Sequence, residues 1–374
     1  MEQVPRCCRN STMHRAWWHA VKVPEGSPVS TPALVVDLDV FESNISAAQA
    51  LLQGTGKLLR SHFKTHRTSG LALRQLGSLA PGVACATVGE AEVVVAAGIH
   101  DVLLANEIVT ASKIERLIAL AARARVLVAV DSCTAAEALS LTARRAGVAV
   151  DVLVDLDVGL SRCGLRSVDA ARDLAVAVAR APGLRFAGIM GYEGRRRASE
   201  PDRLGRIGHA YSLLAELRDR LEREGLSVAI VSAAGTSTFR EAIADPTITE
   251  IQAGTYAFME SDLDGLGLPF RSALRVTATV ISRAPGRAVL DAGRTSLACD
   301  YGLPDALSTN ARVAAVSQEH TTLICDGDSP MMGSSYDLRP SHVALTFNLH
   351  QEVWLVRGRR VVDHLPVNAR GGSS

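Results

Sequence analysis

The run Ser61-His62-Phe63-Lys64-Thr65-His66-Arg67 places one primary amine among two imidazoles and a guanidinium, directly after an apolar stretch. A lysine amine forms a Schiff base with an aldehyde once it sheds its proton, and neighbouring cations favour the neutral form. His62, His66 and Arg67 are close enough in sequence to contribute. Taken alone, Lys64 reads as a solvated lysine at a strand end. Farther along, Ser232-Ala-Ala-Gly-Thr-Ser-Thr and Gln252-Ala-Gly-Thr-Tyr each join glycine to hydroxyl residues. Glycine lets backbone N–H groups approach an anion and threonine hydroxyls complete the shell. Gly235, Thr236, Gly254 and Thr255 therefore suit one phosphate, although either turn by itself is an ordinary loop composition. Arg162 and Tyr192 are types that contact a polar heteroaromatic ring; their alternatives are an inter-loop ion pair and partial core packing.

These groups act together only if the chain brings them to one place. From Thr31 onward, short runs of Val, Ile and Leu alternate with segments of helical period, which predicts a parallel sheet flanked by helices. After a leading strand at 33–37 and a helix at 40–52, strands are expected at 58–63, 83–87, 102–105, 126–130, 151–155, 186–190, 228–232 and 249–252. Eight repeats predict a closed α/β barrel of the TIM type; the G-x-G-x-x-G turn of an open dinucleotide-binding sheet is absent. In such a barrel, function gathers at the carboxyl ends of the strands and phosphate is held after strands seven and eight. Lys64 follows the first strand, Arg162 the fifth, Tyr192 the sixth, and the two Gly-Thr turns the seventh and eighth. That placement turns Lys64 from a surface lysine into a candidate cofactor anchor. Beyond Arg271 the texture changes to alternating, valine-rich strands, which predicts a C-terminal all-β domain. The expected division is an irregular extension over residues 1–30, the barrel over 31–270 and the β-domain over 271–374, whose sheet the strand 33–37 can join.

The 374 residues are 47% hydrophobic and 21% charged, a globular balance, and 40 basic against 39 acidic side chains leave a net charge of +1. No overall field attracts nucleic acid or an anionic membrane, so the expected partner is a small molecule. Seven scattered cysteines without zinc-ribbon spacing, no apolar run of membrane-spanning length and no signal-peptide segment point to the reducing cytoplasm.

With these residues in view, the runs TPALVVDLDVFESNI, SHFKTH, CATVGEAEVVVAAGIHDVLLANEIV, DVGLSRCG, GYEG, SAAGTST and EIQAGTYAFM resemble the D-threonine aldolase and D-serine dehydratase-like family, which has the alanine-racemase-type barrel. The likeness continues through LDAGRTSL, SQEHTTL and LHQEVWLVRGRRVVDHLPVNARG, spanning Thr31 to Arg370. The resemblance implies pyridoxal 5'-phosphate carried on Lys64 of the HxKTH motif and its phosphate at the two Gly-Thr turns. It further implies Arg162 near the phenolic oxygen, Tyr192 near the ring, and His62 and Tyr256 among the cofactor contacts. Members act on D-amino acids bearing a β-hydroxyl group. They are usually homodimers in which one subunit's β-domain closes the partner's barrel mouth.

The family also holds a divalent metal on a histidine and a second ligand two residues later, usually cysteine or aspartate. The matching stretch is Pro340-Ser-His-Val-Ala, so His342 is present but Ala344 offers no donor. On a strand, positions two apart face the same way and would converge on one ion, and a lone histidine is a poor site for it. The usual metal is therefore not expected. His342 reads either as an acid or base acting on the substrate hydroxyl or as a hydrogen-bonded wall residue. Asp326 and Asp328 of the CDGD turn are either solvated or a displaced ligand. The reaction expected first is aldol or retro-aldol cleavage of a D-threonine-like substrate to glycine and an aldehyde. The alternatives are a D-serine-type dehydratase, an amino acid racemase and a non-catalytic carrier of the cofactor.

Overall fold

The computed structural model describes residues 29–307, 310–358 and 360–372, so the extension expected over 1–30 lies almost wholly outside the described residues. β1 (Ala33–Asp37) leads into α1 (Leu38–Leu52), which starts where the Asp37 carboxylate accepts a hydrogen bond from the Val40 N–H. A parallel sheet then winds through β2 (Leu58–Leu59), β3 (Ser61–His62), β4 (Val83–Cys85), β5 (Asp101–Glu107), β6 (Arg125–Val130), β7 (Val150–Asp155), β8 (Leu184–Met190), β9 (Ile230–Ala233) and β10 (Glu250–Ile251). Helices on its outside are α2 (Ser69–Gln75), α3 (Val88–Ala96), α4 (Ala111–Ala121), α5 (Cys133–Ala146), α6 (Val168–Arg180), α7 (Arg203–Arg223) and α8 (Phe239–Ala244). Thr87, Ser132 and Ser167 cap α3, α5 and α6 by accepting from the N–H three residues on.

β2 and β3 are halves of one strand, interrupted at Arg60. The first half pairs with β10 and the second with β4, so the strand hands the sheet across its own break and the expected eight-position barrel closes there. Residues alternate along each strand as the pleat requires. Ala84, Leu103, Leu127, Ala129, Leu153 and Met190 form a cluster inside the barrel. The intervening Val83, Val102, Leu104, Val126, Val128, Val152 and Val154 belong to the larger core under the helices.

A second sheet, antiparallel apart from one pairing, is built from β11 (Leu274–Ala284), β12 (Arg287–Leu290), β13 (Asp305–Ala306), β14 (Ala311–Val316), β15 (Thr321–Cys325), β16 (Ser335–Arg339), β17 (Glu352–Arg357) and β18 (Arg360–Pro366). β1 lies within this sheet, antiparallel to β11 and parallel to β17. The strand geometry expected around His342 is absent. His342 is the last extended residue before a short helix, α9 (Val343–Leu349), so it and Ala344 do not alternate on a strand. The Thr346 hydroxyl donates to the His342 carbonyl at 2.7 Å, and Phe347 packs its ring 5.1 Å from Phe258. Seven residues are too few for a helical period to show in the sequence.

Candidate active site

Lys64 sits in a 3-10 turn, Phe63–Thr65, that begins where β3 ends. A cleft opens over this turn at the carboxyl end of the barrel, enclosing about 680 Å³ of non-atom space including its open mouth. His62, Lys64, Arg162, Tyr192, Gly235, Thr236, Gly254 and Thr255 all line it, brought together from five different strand ends. Burial first, then the positive charge of Arg162, brings the Lys64 amine down to about 8, with Glu90 opposing the shift and Arg67 adding to it. A lysine in that range is neutral often enough near pH 7 to attack a carbonyl. Burial, then the Lys64 charge, holds His62 well below the usual imidazole range, so its ring is neutral. The Arg162 guanidinium stands 5.5 Å from the centre of the Tyr192 ring. Burial, then Glu193, pushes the Tyr192 phenol up to about 12.

The two Gly-Thr turns differ in how they use glycine. A Cβ on Gly254 would lie 2.1 Å from Thr65 Oγ1 and 2.9 Å from the His62 carbonyl oxygen, so only glycine lets the last turn press against the segment bearing Lys64. A Cβ on Gly235 would meet only the Tyr192 ring, at 3.5 Å, and the Gly235 N–H is held by Thr238 Oγ1 at 3.1 Å. Thr236 Oγ1 is buried and has no hydrogen-bond partner among the described residues, nor has His62 Nδ1. Buried polar atoms are ordinarily paired, and two left open in one cleft mark places that a ligand completes.

His66 and Tyr256 do not face this cleft. His66 is buried with rings of Phe63, Phe258 and Phe347 around it, accepts from the Thr68 N–H at Nδ1 and lies 2.9 Å from Gln75 Oε1 at Nε2. Burial takes it down to about 4, so it carries no charge that would act on Lys64. The Tyr256 side chain is likewise outside the cleft: its hydroxyl lies 2.9 Å from Ser61 Oγ and accepts from Gln75 Nε2 at 3.2 Å. Only its backbone is left to meet a ligand.

Other groups join the site that sequence spacing does not announce. Arg195 lines the cleft, pairs with Glu260 at 2.5 Å and with Asp262, and stands 4.4 Å over the Tyr301 ring. Tyr301 in turn stacks on His342 with centroids 4.4 Å apart and planes 27° from parallel. His342 Nδ1 is 3.5 Å from Asp300 Oδ2. Thus His342 adjoins the cleft wall through Tyr301 and Arg195 rather than lining it, and the carboxylate beside it is Asp300, not Asp326 or Asp328. Glu107 and Asp155, at the ends of β5 and β7, hydrogen-bond each other near Arg162; burial, then the Glu107 charge, raises the Asp155 carboxyl. The one signal for them in the sequence is an acidic residue at the carboxyl end of an otherwise apolar strand.

The alanine racemase N-terminal domain matches residues 36–262 and the putative serine dehydratase domain matches residues 273–356. A D-threonine aldolase of Arthrobacter is 36% identical over 92% of this chain and 94% of its own length. The chain belongs to the D-threonine aldolase and D-serine dehydratase-like family. A 3-hydroxy-D-aspartate aldolase of Paracoccus denitrificans is 34% identical over 92% of this chain and 93% of its own. The crystal structure of D-threonine aldolase from Filomicrobium marinum superposes with a TM-score of 0.88 at 38% identity, covering 92% of this chain and 97% of that one. These are pyridoxal-phosphate enzymes of the alanine-racemase fold.

Proposed function

We propose that the chain is a pyridoxal-phosphate-dependent lyase that cleaves a D-threonine-like β-hydroxy amino acid to glycine and an aldehyde. The observation that carries this reading is the Lys64 amine, held below its ordinary range, lining a cleft where Thr236 Oγ1 and His62 Nδ1 are buried without partners among the described residues. The residues present fit the cofactor. Lys64 would hold it covalently, the turns at Gly235-Thr236 and Gly254-Thr255-Tyr256 would take its phosphate, and Arg162, Tyr192 and His62 would meet its ring and phenolic oxygen. When bound, the cofactor draws electrons from Cα and so weakens the bonds there.

The protein's own groups decide which bond breaks. We assign the proton of the β-hydroxyl to His342, which stands beside Tyr301 at the cleft wall, so that the hydroxyl oxygen gains a second bond to Cβ as the Cα–Cβ bond breaks; the pair stays at Cα until a proton replaces the lost carbon. The Lys64 amine lines the same cleft and is the group that would return that proton. Burial of Lys64, with Arg162 and Arg67 nearby, lowers the cost of losing its proton before it attacks. We place the protein in the cytoplasm, in keeping with five free cysteines among the described residues, and read it as a homodimer whose β-sheet domain shields the partner's cleft. No helix of the described residues is long and apolar enough to cross a membrane.

Dehydration of a D-serine-like substrate is the second reading, because the same cofactor also labilises the Cα proton and the family contains dehydratases. Incubating the purified protein with D-threonine and with D-serine separates them. Acetaldehyde and glycine from D-threonine are expected; pyruvate and ammonia from D-serine alone would replace aldolase by dehydratase, and neither product would remove both.

A further inference from the structure

The metal-ligating pair of the family does not fit this chain. The Ala344 side chain has no donor atom, and its carbonyl accepts from Arg67 Nη1 at 3.4 Å. What His342 has instead is a carboxylate, at Asp300 Oδ2, 3.5 Å from its Nδ1.

We infer that Asp300 is a positioning residue for His342, and that the two form a metal-free acid–base pair for the β-hydroxyl. This rests on the aldolase reading above. Three contacts fix the imidazole. Tyr301 stacks on its face at 4.4 Å and is itself covered by Arg195 at 4.4 Å. The backbone just beyond it is pinned by Glu260 Oε1, which accepts from the Val343 N–H at 2.6 Å. Asp300 stands on the Nδ1 side, and Nδ1 is buried with no hydrogen-bond partner among the described residues. At 3.5 Å the carboxylate is at the outer limit of a hydrogen bond, a separation that catalytic pairs commonly close when substrate binds. With the Nδ1 proton directed to Asp300, Nε2 presents its lone pair and is the atom that takes the hydroxyl proton. The Asp300 carboxylate then faces the imidazolium that forms, so the proton gained at Nε2 is balanced by a charge fixed beside the ring. The side chain of Asp300 is half exposed, and so is free to move the short distance required.

The test uses the cofactor-loaded enzyme on D-threonine, with Asp300→Asn, Asp300→Glu, His342→Gln and exhaustive EDTA treatment. Asp300→Asn is expected to lower kcat on the order of tenfold to a hundredfold, with KM, the visible cofactor band and Tm unchanged. Asp300→Glu is expected to recover part of that loss, and EDTA to have no effect. An unchanged kcat in Asp300→Asn overturns the positioning role while leaving the His342 reading intact. An active His342→Gln removes the His342 reading itself, and with it the pair. Activity abolished by EDTA and restored by Mn²⁺ or Zn²⁺ overturns metal independence.

Discussion

Arg60 at the amino end of the barrel and Lys64 at the carboxyl end stand four positions apart on the same broken strand, yet their surroundings are built oppositely. Arg60 is buried and donates to Glu250 Oε2 at 2.8 Å and Asp101 Oδ1 at 2.6 Å. The pairing continues through Arg125 to Asp101 and Asp151, and through Arg185 to Asp151 at 2.6 Å. Ser232 Oγ completes Glu250 at 2.7 Å. Charges of both signs alternate around that end and each buried carboxylate has a partner. At the cleft end, Thr236 Oγ1, His62 Nδ1 and His342 Nδ1 lack partners, and Lys64 is pressed by like charges. One barrel therefore saturates its floor and leaves its mouth unfinished: the first stabilises the fold by itself, while the second reserves its interactions for a ligand.

The largest break in this contrast is expected from Lys64→Ala, which should lower activity by about a thousandfold or more and remove the visible cofactor band while the apo-protein Tm holds, checked by absorbance and calorimetry. Arg60→Met should do the reverse, costing about 3–5 kcal/mol in denaturant unfolding because Glu250 is left buried without its cationic partner, with the cofactor band retained in whatever folds. Thr236→Val sharpens the difference. It removes an already unpartnered hydroxyl, so apo stability should stay level or rise, whereas cofactor affinity should fall about tenfold in equilibrium titration. The smallest effect is on pH dependence. The Lys64 amine, brought down to about 8, must be neutral to capture the cofactor, and it is neutral above that value. Stopped-flow loading of the apo-protein should therefore quicken through about pH 7–8 and level off above about 9; a rate still climbing toward the ordinary lysine value near 10.4 would show that the cleft does not shift it.

Much of this was legible from residue order. The barrel strands are dense in Val, Ile and Leu at regular intervals, and the position of each polar cluster after its strand told which end it occupied. The ionic ring was not read, because Asp101, Arg125, Asp151 and Arg185 look like solvated charges at strand starts. Their signal lies in parity, since each shares the inward phase of a core residue two positions on, as Asp101 does with Leu103 and Arg125 with Leu127. His66 belongs to the same motif as Lys64 but is turned into an aromatic cluster, and local sequence does not say which of two nearby histidines turns outward. The Asp300–Tyr301–His342 group joins segments some forty residues apart, and Arg195 reaches it from the barrel; long-range contacts of that kind leave no spacing to detect. The same is true of Tyr256, whose side chain follows Gln75 and Ser61 rather than the turn that carries it.

The position of β1 bears on how the chain is made as well as on how it rests. Val35 faces Arg275 on one side and Trp354 on the other, so an interior strand of the second sheet leaves the ribosome before any barrel strand and acquires its final neighbour near the end of synthesis. Contacts of such sequence separation form slowly, and an unpaired strand edge is open to other chains in the interval. In the barrel all neighbours but β2 and β10 follow one another along the chain, and that last pair can close as soon as β10 is made, before any later strand of the second sheet. A nascent molecule thus holds a formed cleft beside an unfinished sheet, and truncation before β17 would leave that edge permanently exposed.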